Sequence, residues 1–339
     1  MPKYMNLKPD DIIRDTTKVT TGFFTGDVGS LAGSNLATAS LDADEKIYYY
    51  NLQNSSEDQF SVSYGHNAGS GSVSGSTANK FGQTQAIYDQ FATMLLKPDD
   101  VNTGFVIANA TASSCHFIVA ERARMKDRVN RKNWTLQLSG STSAGAATTL
   151  HLTDDSNVTA SVSTIVGPRY NIKSGSSGTI VGSTVYGHFY PNMGVFVLST
   201  SQLSSSLPGT IGYITSGSIN DTVGVGFAPD DAVTADNAIK MVNSLQLGTH
   251  TLRSEEDQTE VMYFCRAKAS EFNFSNNPTF TSGSDNGFRQ KTMEGNPQTF
   301  ISTVGLYNTS DELVAVGRLS TPVQKNHSTE AVIKVKLVY

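Results

Sequence analysis

The sequence predicts an α+β protein that is predominantly β, with antiparallel sheets in sandwich-like units, two covering helices and an extended N-terminal arm. Three observations carry this expectation. Charged residues are only 16 % of the 339 residues, below the roughly 25 % of an average soluble domain. Their place is taken by Ser, Thr, Asn and 29 Gly, small groups that bond to nearby backbone and favour turns over long helices. Short runs of β-branched and aromatic residues, bounded by Gly, Ser, Asn or Asp, recur along most of the chain, whereas two stretches show apolar residues at helical spacing.

The chain is longer than one ordinary core requires, and it is divided here into three parts. Residues 1–45 read as an arm. Positions 7–15 suit one helical turn, and 22–40 are rich in Gly, Ser and Thr, a composition that becomes ordered against a partner. Residues 46–250 read as a β-rich central domain with helices near 84–96 and 230–247. Strands are expected at 46–52 and 59–64, then a Gly/Ser loop at 65–76. In the first helix Ile87, Phe91, Met94 and Leu95 recur at helical spacing, and Pro98 stops it. Strands follow at 104–109, 115–121, 134–139, 148–153, 158–166, 179–186, 194–198 and 209–214. The second helix is capped by Asp230 and Asp231, carries an apolar stripe of Ala235, Ala238, Ile239, Val242 and Leu245, and ends at Gly248.

Residues 251–339 read as a C-terminal β unit that completes the core or packs on a neighbour. Its strands are expected at 260–269, 272–280, 298–306, 312–319 and 329–339. In the last, Ile333, Val335, Leu337 and Tyr339 share one face and Lys334 and Lys336 the other. Around 308–311 the sequence has turn chemistry. Beyond it Leu313, Ala315 and Gly317 face one way, and Val314 and Val316 the other. A strand apolar on both faces is covered on both sides, by another layer of its own chain or by a neighbouring subunit.

Motifs of catalysis are sparse. Gly71-Ser72-Val73-Ser74-Gly75 has Val where a nucleophile elbow needs Ser, and neither a phosphate-binding loop nor a dinucleotide fingerprint occurs. Cys115 and His116 are adjacent, and neighbours on a strand point to opposite faces. Cys115 and Cys265 lack metal or redox spacing and read as buried thiols acting as small hydrophobes. Acidic doublets at Asp99-Asp100, Asp154-Asp155 and Asp230-Asp231, and the run Glu255-Glu256-Asp257, read as turns and caps. A metal at Asp154/Asp155 is the alternative. The expectation is therefore no enzyme, no cofactor and no metal. Net charge of −5 argues against nucleic acid as a main partner, and no stretch has the ~20 apolar residues of a membrane span. The N-terminus lacks an apolar signal region, so synthesis in a cytoplasm is expected.

The strongest charge feature is Arg122, Arg124, Lys126, Arg128, Arg131 and Lys132, followed by Trp134. It reads as nucleic-acid binding, as a solvated face, or as a subunit contact in which arginine forks meet a neighbour's acids; the absence of interleaved aromatics before Trp134 and the acidic chain weigh against the first. The alternation of Arg122 and Arg124 directly after a strand favours the contact, and the set is the candidate interface.

Several segments resemble a family of structural proteins of contractile-tailed, T4-like bacteriophages, especially those of cyanobacteria. They are KIYYYNLQ (46–53), DQFSVSYGHNAGSGS (58–72), RARMKDRVNRKNWTLQLS (122–139), HLTDDS (151–156) and VYGHFYPNMGVFVLS (185–199). Towards the C-terminus they are RSEEDQTEVMYFCRAKASEFNFSNNPTF (253–280), PQTFISTVGLYNTSDELVAVGRLSTPV (297–323) and AVIKVKLVY (331–339). The resemblance implies a virion structural protein of the tail, a wedge or peripheral component of the baseplate, assembled in the host cytoplasm with copies of itself and other tail proteins. The alternatives are a neck or tail-completion protein, and a receptor- or glycan-binding module at the tail periphery that contacts the host surface. For the latter, the aromatics of 186–191 are the candidate sugar platform.

Overall fold

The structure is a computed structural model that describes residues 4–23, 30–32, 37–39, 49–70, 83–141, 146–207, 234–275, 277–282 and 287–339. The chain forms two compact units, one of residues 19–256 and one of residues 1–18 with 257–339.

The larger unit is built on a ten-stranded sheet whose strand pairs are antiparallel. Across it the order is Leu136–Ser141, Ala147–Asp154, Gly167–Ser176, Thr179–Tyr190, Val195–Ser199, Ser114–Ala120, Glu57–His66, Tyr49–Asn54 and Ala37–Ala39, with Val162–Thr164 added on Gly167–Ser176. The central strand, Ser114–Ala120, is buried on both faces, which its unbroken apolar run CHFIVA foreshadows. Its alternation separates two cores. Cys115 and Phe117 enter one, and Ile118 and Ala120 the other.

Helix α1 (Gln83–Leu95) covers the first face and places Tyr88, Ala92 and Leu95 against Cys115, Phe117, Val195 and Val197. Phe91 stacks on Phe117 with ring centroids 4.1 Å apart. The helix lies so close to the sheet that a Cβ on Gly65 would fall 2.9 Å from the Tyr88 backbone nitrogen and from Phe117 Cε2. Only glycine allows that approach. Helices α3 (Thr200–Ser206) and α4 (Thr234–Gln246) belong to the second face, where Leu203, Ala238, Met241, Val242 and Leu245 join Phe60, Val62, Tyr64, Phe189, Phe196 and Leu198. A one-turn helix, α2 (Arg122–Met125), follows the central strand. The bulge between Ile172 and Lys173, opposite Gly187 and Val185, leaves Tyr186 unpaired and turns it into the same core as Phe189.

The two expected helices are α1 and α4, and the residues expected to cap α4, Asp230 and Asp231, lie outside the described set, as does the strand expected at 209–214. Gly248 does follow α4, for a different reason from the one expected. It is absent from the glycines with positive φ. A Cβ there would instead lie 1.8 Å from the carbonyl oxygen of Gln137, so close contact with a strand requires it.

The arm expected over 1–45 needs correction. Pro9–Asp11 is a single 3-10 turn, and Ile12–Gly22 is an eleven-residue strand at the edge of a sheet with Arg253–Ala267 and Ala331–Val338. Most of its side chains are exposed, so its hydrophilic sequence hid its backbone pairing. Phe23 is buried in the second core and stacks on Phe60 with centroids 5.5 Å apart.

In the smaller unit the long strand Arg253–Ala267 pairs with Ala331–Val338 in the register Val261↔Leu337, Tyr263↔Val335 and Cys265↔Ile333. These residues share one face of the sheet. A separate hairpin joins Thr299–Tyr307 to Leu313–Lys325. Its Gly317 faces the sheet, since a Cβ there would lie 3.9 Å from Val335 Cγ2. The strand expected at 272–280 does not form. Phe272 has φ 56°, the described residues 273–280 hold no strand, and 278–280 form a turn before the two-residue pairing of Thr281–Ser282 with Gly287–Phe288.

Candidate functional site

The basic segment comes first, because its charge density marks it in the sequence. Arg122–Met125 is a helical turn rather than continued strand, so Arg122 and Arg124 do not alternate across a pleat as expected. Most of the cations meet acids or oxygens of their own chain. Arg124 forms an ion pair with Glu57, Lys126 Nζ lies 2.5 Å from Glu256, and Arg128 Nε lies 3.3 Å from Glu255. The Arg131 guanidinium donates to Tyr170 Oη at 2.5 Å and sits over the same ring. Arg122 donates to the carbonyls of Asp127 and Asn192, and the backbone N–H of Lys132 donates to Asp154 at 2.9 Å.

Trp134 leaves the candidate interface altogether. It is 0 % exposed and packs edge-on to Phe196, with centroids 4.9 Å apart, and tilted against Phe189 at 5.1 Å. Its large apolar area is worth more inside the core than beside a solvated basic run.

The doublet Asp154-Asp155 and the carboxylate of Glu255 are committed within the chain; Asp99 and Asp100 open an exposed 3-10 turn, and Asp230 and Asp231 lie outside the described residues. Asp155 accepts from the backbone and side-chain nitrogens of Asn171 at 3.0 and 2.9 Å and lies 3.4 Å from Lys173 Nζ. Asp154 accepts from the backbone N–H of Lys132 and Ser156. Both carboxylates thus brace turns. Glu255 accepts from Asn130 at 2.5 Å. Among the described residues no group of three or more His, Cys, Asp or Glu is arranged to hold a metal ion.

Three histidines are structural core groups. Burial holds His116 down to about 3, with Lys240 nearby adding to the shift, and His188 is likewise held to about 3 by burial and then by Arg169. His250 is held to about 4 by burial. It accepts the Gln137 backbone N–H at Nδ1 (3.3 Å), and its Nε2 is 2.6 Å from the carbonyl oxygen of Leu245. The Cys115 thiol is pushed upward by burial, a shift away from nucleophilic character. Cys265 is half-buried and shifted the same way. The aromatic segment considered for sugar stacking is interior: Tyr186, Phe189 and Tyr190 are all buried.

Exposed apolar side chains remain on both units: Val158, Ile165 and Val181 on the larger, and a denser set on the C-terminal hairpin and last strand of the smaller. Phe300 (60 %), Leu313 (52 %), Val314 (65 %), Val316 (60 %) and Val332 (57 %) are all more than half exposed. On the hairpin, Ala315, Gly317 and Leu319 are half-buried, and Val314 and Val316 point away from them. Leu313 departs from the expected face because of the irregularity at Leu306/Tyr307, and its Cδ1 lies over Gly305. The strand Ala331–Val338 follows the expected alternation, with Ile333, Val335 and Leu337 half-buried and Lys334 and Lys336 exposed, except that Tyr339 beyond its end is 74 % exposed.

No protein-family model matches this chain, and no curated protein and no solved structure does either. The functional reading therefore rests on surfaces. The sequence places apolar residues on both faces of the hairpin strand, where Leu313, Val314 and Val316 are exposed, and it shows the basic run without the acids that pair with it, which come from distant positions.

Proposed function

We propose that this protein is a structural subunit of a bacteriophage tail, a baseplate component without enzymatic activity that works by assembling with copies of itself and with neighbouring tail proteins. The observation that carries the reading is the exposed apolar face of the C-terminal hairpin. In the residue 19–256 unit helices α1, α3 and α4 join apolar clusters on the two faces of the sheet, and the described clusters of buried apolar side chains lie within residues 23–252, although Val158, Ile165 and Val181 are exposed there. In the C-terminal β unit, large apolar side chains on the hairpin and on the last strand are left in water. Exposed apolar side chains on the outer face of a hairpin, such as Val314 and Val316, offer surface that another chain can cover. Subunit contacts of stable assemblies bury well over ~1,000 Å² and draw on such residues. The resemblance of the segments at 253–280 and 297–323 to tail structural proteins supplies the biological setting.

Electron microscopy of intact particles tests the proposal by placing the chain. Density for the two units at the baseplate, with the hairpin against another subunit, is the expected result. A chain absent from the particle, or present with the hairpin facing solvent, overturns it.

A further inference from the structure

We propose that Lys325 and Asn273 are a self-modification site, at which the lysine amine and the asparagine carboxamide join in an intramolecular amide bond. Lys325 ends the hairpin and is 0 % exposed. Its Nζ donates to Asn273 Oδ1 at 2.9 Å, to the Ala269 carbonyl at 3.0 Å and to the Asn326 carbonyl at 2.8 Å. No carboxylate is among these partners, which is unusual for a lysine removed from water. The carboxamide is held by its other end as well. Asn273 Nδ2 donates to the Ala269 carbonyl at 2.7 Å and lies 3.0 Å from His327 Nδ1. The oxygen of the amide thus faces the amine, and its nitrogen faces an imidazole.

That arrangement is what amide exchange needs. Nζ donates to three oxygens and so carries three protons; it first releases one to solvent, and the uncharged amine is the reacting form. Its lone pair adds to Asn273 Cγ, and the Nζ–Cγ bond forms. As the intermediate collapses, the Cγ–Nδ2 bond breaks and the nitrogen leaves as ammonia. One proton passes from Nζ to Nδ2, and His327, already in contact with the leaving nitrogen, is the general acid–base group that relays it. Amine and carboxamide become a secondary amide and ammonia, with no oxidant, reductant or activating group required. Holding both groups within hydrogen-bond distance supplies the proximity such a reaction lacks in solution.

The place in the fold gives the bond a purpose. Lys325 and Asn273 are separated by 52 positions, and the cross-link joins the irregular segment after Arg253–Ala267 to the end of the hairpin. This β unit contributes nothing to the two apolar clusters, and units with little core are commonly secured by covalent staples. A cross-link restricts the unfolded chain in the same way as a disulfide.

The test is the intact mass of the full-length protein, purified at neutral pH and measured under denaturing conditions. The expected mass falls short of the sequence by one ammonia, and proteolysis yields a branched peptide joining the fragments that contain positions 273 and 325. Lys325→Arg and His327→Ala, purified in parallel, retain the full mass. A wild-type chain of full mass overturns the proposal and does not depend on any variant folding. So does an ammonia loss carried on a linear peptide, which is cyclisation at an asparagine instead, and so does undiminished cross-linking in His327→Ala.

Discussion

Lowering the pH from 7 to 5 should weaken the larger unit by about 5–6 kcal/mol through three buried imidazoles. Burial is the main cause in each. It holds His116 and His188 to about 3 and His250 to about 4, whereas a histidine in the unfolded chain titrates at about 6.5. Lys240 and Arg169 reinforce the shift at His116 and His188, and the Leu245 carbonyl opposes it at His250. A folded value below the unfolded one makes the contribution complete above pH 6.5. It is then lost as pH falls towards 3 to 4, because the unfolded chain binds protons that the folded chain refuses. Between pH 7 and 5 each imidazole of the unfolded chain gains most of a proton, which is about 2 kcal/mol per site.

Urea unfolding at the two pH values measures the difference directly. Trp134 is the single tryptophan and is fully buried, so its fluorescence reports on this core. Replacing His188 by Gln should shrink the pH difference by about 2 kcal/mol, whatever the variant costs at pH 7. An unfolding free energy equal at pH 7 and 5, or a pH difference unchanged in that variant, refutes the assignment of neutral buried histidines.

Four further outcomes follow from particular contacts. Tyr88→Phe removes the hydroxyl that accepts from the Phe105 N–H at 3.0 Å and donates to the Ala112 carbonyl at 2.8 Å. With both partners buried, thermal or urea denaturation should show a loss of about 2–5 kcal/mol. Gly65→Ala forces a methyl against α1 and should cost about 1–3 kcal/mol in the same assay. Deleting residues 1–40 takes away Phe23 and the edge strand Ile12–Gly22, so circular dichroism and protease resistance should reveal a destabilised protein rather than a trimmed one, with about 3–5 kcal/mol attributable to Phe23 alone. Val314→Lys with Val316→Lys should leave the melting temperature within a few degrees, because both side chains are more than half exposed. It should also abolish incorporation into particles, read by mass spectrometry of purified virions.

Much of this architecture was legible because periodicity tracks burial. The stripe of Ala238, Val242 and Leu245 and the alternation of Ile333, Val335 and Leu337 each mark the side that meets other atoms. Where burial does not follow the pattern, the sequence is silent. Gly167–Ser176 is a ten-residue strand inside the large sheet. Yet Pro168, Arg169 and Lys173 interrupt its apolar residues, and Tyr170 and Ile172 alone carry the inward face. Ile12–Gly22 is a strand by backbone pairing and hydrophilic by side chain. The basic run misled for a related reason. Charge density is visible locally, but Glu57, Glu255 and Glu256, which meet Arg124, Arg128 and Lys126, lie many residues away along the chain.

The same distinction bears on assembly. Exposed ion pairs such as Lys126 with Glu256 contribute little to stability and are weakened further by salt. Cations already engaged within their own chain also have less to offer a neighbour. Apolar residues on the C-terminal hairpin have no such prior commitment. Fully burying a side chain of the size of Val or Phe is worth about 1.5–3 kcal/mol. Val314, Val316, Leu313 and Phe300 are already partly buried, so each would contribute less than this, yet under the proposed role together they would exceed what exposed ion pairs supply. Charge then serves to select the partner and set its register. Under the proposed tail role, an assembly driven this way should tolerate high salt, and dissociation from particles at raised ionic strength would place the driving force back on the basic segment.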